Sequence, residues 1–213
     1  MATFDLSRSV ESGMQTYPGD PPVRVEPHAD FDADGYRVTA LAMGTHTGTH
    51  VDAPSHTEED GATLGVFPLD TFRFDAQLAD VRLGARAPIS VAALPDPTDA
   101  DLLVLHTGWD DHWGTDRSRD HPFLTREAAA WCVDHGYHVA TDALSVDPTP
   151  GPNAGADEPT GFEAHHALLG AGRLVYENLR GLDRLPSRFR LHAYPLAVDA
   201  DGSPVRAVAI TGE

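Results

Sequence analysis

The sequence has no lysine and a single cysteine, and both shortages limit what the protein can be. All basic residues are arginine, and the excess of acidic residues gives a formal net charge of −18. A protein this acidic repels phosphate backbones and anionic membrane surfaces, so we expect neither nucleic acid nor membrane among its partners. Cys132 has no cysteine with which to form an internal disulfide, and its neighbours Trp131 and Val133 predict a buried helical position.

Long apolar runs are also missing. No stretch reaches the roughly 20 apolar residues of a membrane-spanning helix, and the opening Met-Ala-Thr-Phe-Asp has neither the basic start nor the apolar run of a secretory signal. With the lone cysteine, these features predict a cytoplasmic protein. The chain has 213 residues, 41% of them hydrophobic, which suits one packed domain. We expect residues 1–213 to form a single α/β domain of mixed α+β type with a substantial mixed sheet.

The stretch from 101 to 142 carries the clearest pattern of secondary structure. Residues 101–106 form a short apolar run that is typical of a buried strand. Thr125 is suited to cap a helix that runs to about His135, and Gly136 is suited to end it. A second strand is predicted over 137–141. Strand, helix and strand at this spacing predict a right-handed crossover between strands of one sheet.

Other elements are predicted from shorter signals. Prolines and a glycine between Tyr17 and Pro22 indicate a rigid turn. The stretch from Asp147 to Pro159 is rich in proline, glycine, asparagine and aspartate, which indicates a long loop of the kind that is often functional. Further strands are predicted over 4–7, 36–42, 189–198 and 204–210, the last two joined by a turn at 199–202.

Histidines concentrate between positions 46 and 56, where the sequence reads His-Thr-Gly-Thr-His-Val-Asp-Ala-Pro-Ser-His. Imidazole and carboxylate together are the usual ligands of zinc, manganese or iron. Two histidines and one carboxylate would leave a divalent ion with net positive charge and open positions, the features that acidify a coordinated water. The segment therefore predicts a metal site suited to hydrolysis. The alternative is a solvated polar loop that is merely rich in histidine.

The local geometry of this segment is constrained by its sequence. On a straight strand His46 and His50 would lie roughly 13 Å apart, which is barely short enough for both to reach one ion. The threonines, Gly48 and Val51 are poor helix formers, and Pro54 follows closely. We therefore predict a bent strand or loop in which Gly48 absorbs the turn and leaves room for a substrate.

The segment fills every fixed position of a known motif, His-x-Gly-Thr-His-x-Asp-x-Pro-x-His. The segment resembles the motif of the cyclase family of metal-dependent hydrolases, which includes bacterial kynurenine formamidases and isatin hydrolases. Other family-like pieces follow along nearly the whole chain: 5–7, 17–20, 107–109, 141–147, 165–169, 176–179 and 204–206. The resemblance implies a single cyclase-family domain of swivelling β/β/α type. It also implies a small-molecule substrate and a homodimer or larger homo-oligomer with the active site near the subunit interface.

The resemblance also implies the ligands of one or two ions, with zinc and manganese both suitable. His46, His50 and Asp52 would hold the first ion, and Asp52 would bridge to a second ion held by His165 and Glu177. Glu177 follows the apolar Leu174-Val175-Tyr176, where a carboxylate needs a partner such as a metal, unless the strand is an edge strand with Glu177 in water. His166 adjoins His165, but the spacing to Glu177 favours His165.

His56 would be the general acid/base in this family, because a histidine titrates near the working pH. The alternatives for His56 are a fourth metal ligand or a hydrogen-bond partner of Asp52. Tyr17 and Trp109 are candidates for substrate binding, and Trp113 is a third aromatic residue that could line a pocket. Tryptophan near a strand end is, however, more often a packing residue.

The implied function is hydrolysis of a small amide, lactam or ester, for which an arylformamide such as N-formylkynurenine is one candidate substrate. Kynurenine formamidases usually have Trp-Pro-Gly-Asp-Thr at the early turn, whereas this chain has Tyr17 and Pro21, which weakens that particular assignment. One alternative is a cyclase or dehydratase acting on polyketide-like molecules. Another is a non-catalytic metal or small-molecule binding protein, but a binder would not need His56 beside the metal.

Overall fold

A mixed sheet of nine strands forms the centre of the protein in the computed structural model, which describes residues 1–212. The strands, in chain order, are β1 (Ala2–Asp5), β2 (Arg24–Ala29), β3 (Val38–Ala42), β4 (His50–Asp52), β5 (Arg73–Asp80), β6 (Pro88–Ile89), β7 (Leu102–His106), β8 (Phe123–Leu124), β9 (His138–Thr141), β10 (Val175–Glu177), β11 (Arg188–His192), β12 (Gly202–Pro204) and β13 (Val208–Thr211). The helices are α1 (Phe31–Asp34), α2 (Arg126–Asp134) and α3 (Glu163–Leu169), with short 3₁₀ turns between elements.

The order of strands in the large sheet is β1-β13-β11-β5-β7-β9-β10-β4-β12. The central pairs β5/β7, β7/β9 and β9/β10 are parallel, and the outer pairs are antiparallel. A parallel strand that is covered on both faces reads as a continuous apolar run rather than an alternating one. β7 shows this directly: every residue from Leu102 to His106 is buried.

The two faces of the sheet carry separate hydrophobic cores. One core, which we call the inner core, joins strands from both ends of the sheet, with Leu6, Val51, Tyr176 and Ala209 among its members, and the sheet is therefore strongly curled. The other, the helical core, lies where α2 and α3 pack on the opposite face, over residues such as Val139. Adjacent residues of one strand point to opposite cores because side chains alternate across a sheet.

The crossover predicted between residues 101 and 142 is confirmed. β7 pairs in parallel with β9, and α2 connects the two strands. The Thr125 hydroxyl caps α2 by accepting a hydrogen bond from Ala128 N–H, and Gly136 follows the end of the helix with a φ of 84°. Cys132 is fully buried in α2, as its neighbours indicated. The fold class, a mixed α+β domain with a large mixed sheet, is also confirmed.

The C-terminal strands differ from the prediction. β11 ends at His192, because the chain turns away before Pro195, which has no N–H to donate to a ladder. The predicted strand over 204–210 is interrupted after Pro204, and its two parts, β12 and β13, pair at different ends of the sheet. β11 and β13 nevertheless pair antiparallel, in the same register as an isolated Pro195–Val205 bridge, so the two predicted strands form an irregular hairpin from which β12 departs to pair with β4. The first strand also lies earlier than predicted, at Ala2–Asp5.

The β2–β3 hairpin (Arg24–Ala42) forms a two-stranded sheet of its own. Every residue of β3 is exposed, and the large exposed apolar side chains of the hairpin are Phe31, Tyr36, Val38 and Leu41. In residues 1–212, none of the helices has the length and apolar character needed to cross a membrane.

Candidate active site

The predicted bend between His46 and His50 is present. Gly48 has a φ of 61°, and the strand β4 begins only at His50. The Gly48 carbonyl then folds back to accept a hydrogen bond from His50 Nδ1, at 2.9 Å. This bond leaves the His50 Nε2 atom unprotonated and able to bind a metal when the ring is neutral. Glycine is favoured here because a positive φ is costly for residues with a side chain.

Strand pairing brings Glu177 to the same place. β10 runs antiparallel to β4, with Glu177 opposite His50. Val51 and Tyr176 form the middle pair of this ladder and point into the inner core. Because side chains alternate, His50, Asp52 and Glu177 all point to the other face. Glu177 is 5% exposed in an internal strand, so the alternative of a water-facing edge position is wrong.

Helix α3 supplies the next histidine from above this face. His165 is buried, and its Nε2 lies 3.5 Å from Asp52 Oδ2 and 3.3 Å from Glu177 Oε1. On its other side, Nδ1 donates to Asp147 Oδ2 at 2.6 Å. Asp147 therefore holds the His165 tautomer that keeps Nε2 free toward the two carboxylates. The adjacent His166 points outward and pairs with Glu58 at 2.7 Å.

Asp52 lies at the centre of the cluster. Its Oδ1 is 2.7 Å from His46 Nδ1 and 3.2 Å from His50 Nε2. The ligand atoms of His46, Asp52 and His56 lie within 4.8 Å of one another, and so do those of His50, Asp52 and Glu177. Asp52 belongs to both groups. The Asp52 Oδ2 atom is buried and accepts no hydrogen bond from residues 1–212, which is costly unless a cation satisfies it.

The pKa values reflect the crowding of opposite charges. Burial by itself would raise the pKa of Asp52, but the surrounding histidines, His50 first, hold it well below the ordinary value. Burial opposes the protonation of His46, yet the hydrogen bond to Asp52 raises its pKa to about 9. The pKa of His165 is likewise raised despite burial, mainly by Asp147 and Asp52. Protons thus occupy the positions between these groups in the metal-free protein, and a bound metal would displace them.

His56 lies at the edge of the cluster, on a 3₁₀ turn (Pro54–His56) directly after β4. Its ring centroid is 4.0 Å from that of His46, and its Nδ1 is 3.5 Å from Asp201 Oδ2. Burial lowers the pKa of His56, so the ring is uncharged at neutral pH. It is more exposed than His50 or His165 and can therefore exchange protons with a substrate.

A cavity of about 210 Å³ opens over the cluster and is lined by His46, His50, His56, His165 and Glu177. Its aromatic walls are Tyr17, Trp113 and Phe162. Burial, and then the nearby Glu177, raise the pKa of Tyr17 to about 12, so its hydroxyl remains a donor at neutral pH. Tyr17 thus lies where a substrate-binding residue would, although its role stays a prediction.

Trp109, the other candidate for substrate binding, is not among the residues that line this cavity. It is buried away from this cavity, and its indole N–H donates to the Arg117 carbonyl at 3.0 Å. The structure places Trp113 in the wall instead, because the chain turns at the 3₁₀ segment Trp109–His112. Trp109 therefore has the packing role that is common for tryptophan near the end of a strand.

Asp201 is a residue of the site that no local pattern indicates. Its Oδ2 lies 2.9 Å from His46 Nε2, and its backbone carbonyl accepts from Ala53 N–H at 2.8 Å. In the sequence it belongs to a turn-like Asp-Ala-Asp-Gly stretch, 155 positions after His46. The pairing of β12 with β4 brings it to the cluster.

These observations define a class of protein. The donor set of imidazoles and carboxylates fits a divalent metal, and the buried Asp52 Oδ2 accepts no hydrogen bond from residues 1–212. His56 lies beside them in the lining of an aromatic cavity. Fold and site together are those of a metal-dependent hydrolase.

Comparison with known proteins identifies the family. The family model described as "Putative cyclase" matches residues 4–148, and the chain belongs to this cyclase family. A kynurenine formamidase of Salinibacter ruber is 35% identical, with 98% of this chain and 97% of the relative covered. A kynurenine formamidase of Erythrobacter litoralis is 33% identical, with 96% and 92% covered.

Solved structures agree on the fold. Isatin hydrolase A from Labrenzia aggregata superposes with a TM-score of 0.86 over 100% of this chain and 94% of that one, at 22% identity. A structure described as a potential metal-dependent hydrolase with cyclase activity gives a TM-score of 0.81 at 25% identity, covering 100% and 98%. The chain is thus a hydrolase of the cyclase family, with the fold of these metal-dependent enzymes.

Proposed function

We propose that the protein hydrolyses an arylformamide such as N-formylkynurenine to formate and the free arylamine. One observation carries the proposal: the metal-ligating side chains and His56 meet at the floor of a cavity whose walls are aromatic. Relatives that are 35% and 33% identical over nearly their full length are kynurenine formamidases. A flat aryl group suits walls made of Tyr17, Trp113 and Phe162, because aromatic rings stack on one another favourably.

We assign the metal to the carboxylate at the centre of the cluster. His46, His50 and Asp52 would hold a first ion, and Asp52 would bridge to a second ion at His165 and Glu177. Asp52 belongs to both close groups of ligand atoms, as a shared ligand would, although those groups join His46 with His56 and His50 with Glu177. The distances of His165 Nε2 to Asp52 Oδ2 and to Glu177 Oε1, 3.5 Å and 3.3 Å, support His165 as the remaining ligand. Zinc and manganese both suit the donor set. When bound, such an ion polarises a carbonyl group and lowers the pKa of water.

His56 is the residue that moves protons in this proposal. Its ring is neutral at neutral pH because burial lowers its pKa, so it can accept a proton from the attacking water. The same ring then returns the proton to the arylamine as it leaves. Asp201, 3.5 Å from His56 Nδ1, stabilises the ring while it carries the proton. The alternative role of His56, as a fourth metal ligand, is distinguished by the metal content of a His56 variant.

The first test is the metal content of the purified protein together with its activity. We expect bound zinc or manganese in the wild type, and hydrolysis of N-formylkynurenine, with isatin assayed beside it as a lactam. His50→Ala should remove both the metal and the activity, since His50 is buried among the carboxylates. A wild type that stays metal-free after incubation with zinc and manganese, or that turns over isatin but no formamide, would contradict the proposal.

Two neighbouring histidines offer a matched pair of variants for the second ion. His165 faces Asp52 and Glu177, whereas His166 faces solvent and contacts Glu58. We expect His165→Ala to lower metal binding and activity strongly, and His166→Ala to leave both near the wild-type values. Equal effects of the two variants on metal content would contradict the assignment of His165 as a metal ligand.

We also propose that the protein is a homodimer or larger homo-oligomer and that it works in the cytoplasm. A two-stranded hairpin is marginally stable by itself and needs packing partners. In the β2–β3 hairpin the apolar side chains of Tyr36, Val38 and Leu41 are exposed. A second copy is the simplest cover for these side chains. Light scattering after size-exclusion chromatography should show an oligomer that Leu41→Asp dissociates. Leu69→Asp, at an exposed leucine outside the hairpin, is the control.

A further inference from the structure

Two carboxamides in the wall of the active-site cavity have no part in the proton transfer or metal binding described above. They are Gln15, which precedes the Tyr17 turn, and Asn178, which follows Glu177. Buried amide groups are normally hydrogen-bonded, and each exception calls for an explanation. Both of these side chains contain a buried atom without a partner among residues 1–212.

Asn178 is held rigidly by its backbone. Its N–H donates to the Ala143 carbonyl at 3.1 Å, and its own carbonyl accepts from the Thr49 hydroxyl at 2.8 Å. The side chain is 3% exposed and lines the cavity, but its Oδ1 has no partner in the described part of the chain. The carboxamide lies beside the metal-ligating cluster, because Asn178 lines the same cavity as His50, His165 and Glu177. It is placed to bond the group that reacts there.

The orientation of Gln15 is fixed by one bond. The backbone N–H of Gly114 donates to Gln15 Oε1 at 2.8 Å. Only the amide oxygen can accept this bond, so the orientation of the amide is fixed. The Nε2 atom therefore occupies the opposite position. Nε2 is buried and lacks an acceptor within residues 1–212. Gln15 is therefore a donor in the same wall as Trp113, the neighbour of Gly114 in sequence.

The charges of the cavity wall restrict the kind of substrate group that could accept a hydrogen bond from Gln15. Neither arginine nor lysine is among the described residues that line the cavity, whereas Asp20 and Glu177 are. Among these lining residues, Asp20 is not a proposed metal ligand and would repel an anionic carboxylate. A neutral carbonyl oxygen accepts a hydrogen bond from an amide without that penalty.

We propose that Gln15 and Asn178 form a substrate-recognition subsite for aryl amides that carry a second, neutral carbonyl group on the ring. The Asn178 carboxamide hydrogen-bonds the scissile amide, and the Gln15 Nε2–H donates to the ring carbonyl while the ring lies against Trp113. This inference rests on the proposed amide hydrolysis and specifies which amides are preferred.

A purely conformational role for Asn178 has to be separated from binding. Its φ is 61°, and asparagine tolerates this left-handed region better than most residues. Asn178→Gly keeps that tolerance and removes the carboxamide, whereas Asn178→Ala removes both. If Asn178 binds the substrate, both variants lose about tenfold or more in kcat/KM. If only the backbone matters, Asn178→Gly equals the wild type and Asn178→Ala alone is impaired, which would overturn this part of the proposal.

Gln15 is tested by pairing a variant with two substrates. N-(2-acetylphenyl)formamide carries the ring carbonyl, and formanilide is the same amide without it. Gln15→Glu retains an oxygen for the Gly114 N–H and replaces the NH₂ donor by an acceptor. We expect the ratio of kcat/KM for the acetyl compound to that for formanilide to fall about tenfold in the variant. An unchanged ratio would exclude the Gln15 contact.

Direct binding keeps this test independent of turnover. The dissociation constants of 2-aminoacetophenone and aniline can be measured by calorimetry for the wild type and Gln15→Glu, with thermal unfolding to verify that the variant is folded. The wild type should prefer 2-aminoacetophenone, and the variant should lose this preference. If neither formamide is hydrolysed but the preference is present, the proposed reaction fails while the subsite stands. If both wild type and variant bind the two amines equally, the subsite fails whatever the reaction.

Discussion

Replacement of Asp147 tests how the second histidine ligand is held. The Asp147 carboxylate accepts from Ala164 N–H at 2.8 Å, from His165 N–H at 2.9 Å and from His165 Nδ1 at 2.6 Å. The first two bonds satisfy the free N–H groups at the start of α3, and the third orients the ring. One buried carboxylate thus stabilises a helix and prepares a metal ligand.

The magnitude follows from these contacts. Loss of a helix-capping acceptor costs about 1–2 kcal/mol, and loss of a hydrogen bond to a charged partner costs about 1.5–3 kcal/mol. We therefore expect Asp147→Ala to lower the free energy of unfolding by about 2.5–5 kcal/mol. For a chain of this length that is a fall in melting temperature of roughly 5–20 °C. Calorimetry or urea denaturation of the metal-free protein measures it.

Asp147→Asn separates the two roles. Its oxygen can still cap the helix, so the loss of stability should be smaller than in Asp147→Ala. Its NH₂ group, however, would donate to His165 Nδ1 and move the ring proton to Nε2, the atom that faces Asp52 and Glu177. We expect metal affinity to fall about 10–100-fold, measured by calorimetric titration with zinc or manganese. Wild-type affinity in Asp147→Asn would refute the idea that Asp147 sets the His165 tautomer.

Three further predictions concern single side chains. His56→Gln should retain the metal but lower kcat by about 10²–10⁴, and loss of metal would make His56 a ligand instead. Gly48→Ala should lower the free energy of unfolding, measured by urea denaturation, by about 1 kcal/mol or more, because the φ of Gly48 is 61°. An unchanged free energy of unfolding would contradict this. Burial lowers the pKa of His138 to about 4, and its Nδ1 accepts from Leu174 N–H. The unfolded chain therefore takes up this proton first, and up to about 3 kcal/mol of stability is lost as pH falls from about 6.5 to 4. In His138→Phe that pH-dependent loss should shrink.

Much of the metal site could be predicted from the sequence because its central part is local. His46, His50 and Asp52 lie within seven residues, and the poor helix formers around Gly48 leave a bent strand as the simplest way to bring them together. The bend is present at Gly48. The crossover from β7 through α2 to β9 was also predictable, because a fully apolar strand and a capped helix have strong local signals.

Contacts between distant segments were less accessible to prediction. Asp201 reaches His46 only because β12 pairs with β4, whereas the sequence pattern assigned residues 199–202 to a simple turn between two strands. Trp109 and Trp113 differ by four positions, and only the course of the chain after β7 decides that Trp113 enters the cavity wall.

The sequence by itself thus determined the chemistry of the site: which ligand types are present, where the chain must bend, and which segments are strand or helix. The tertiary structure decided which face each ligand occupies and what orients it. The ladder that places Glu177 opposite His50, and the Asp147 carboxylate at His165, join residues far apart in the chain. The reason is physical: periodicity and spacing encode local conformation, whereas strand order and register depend on how the whole sheet buries its two cores.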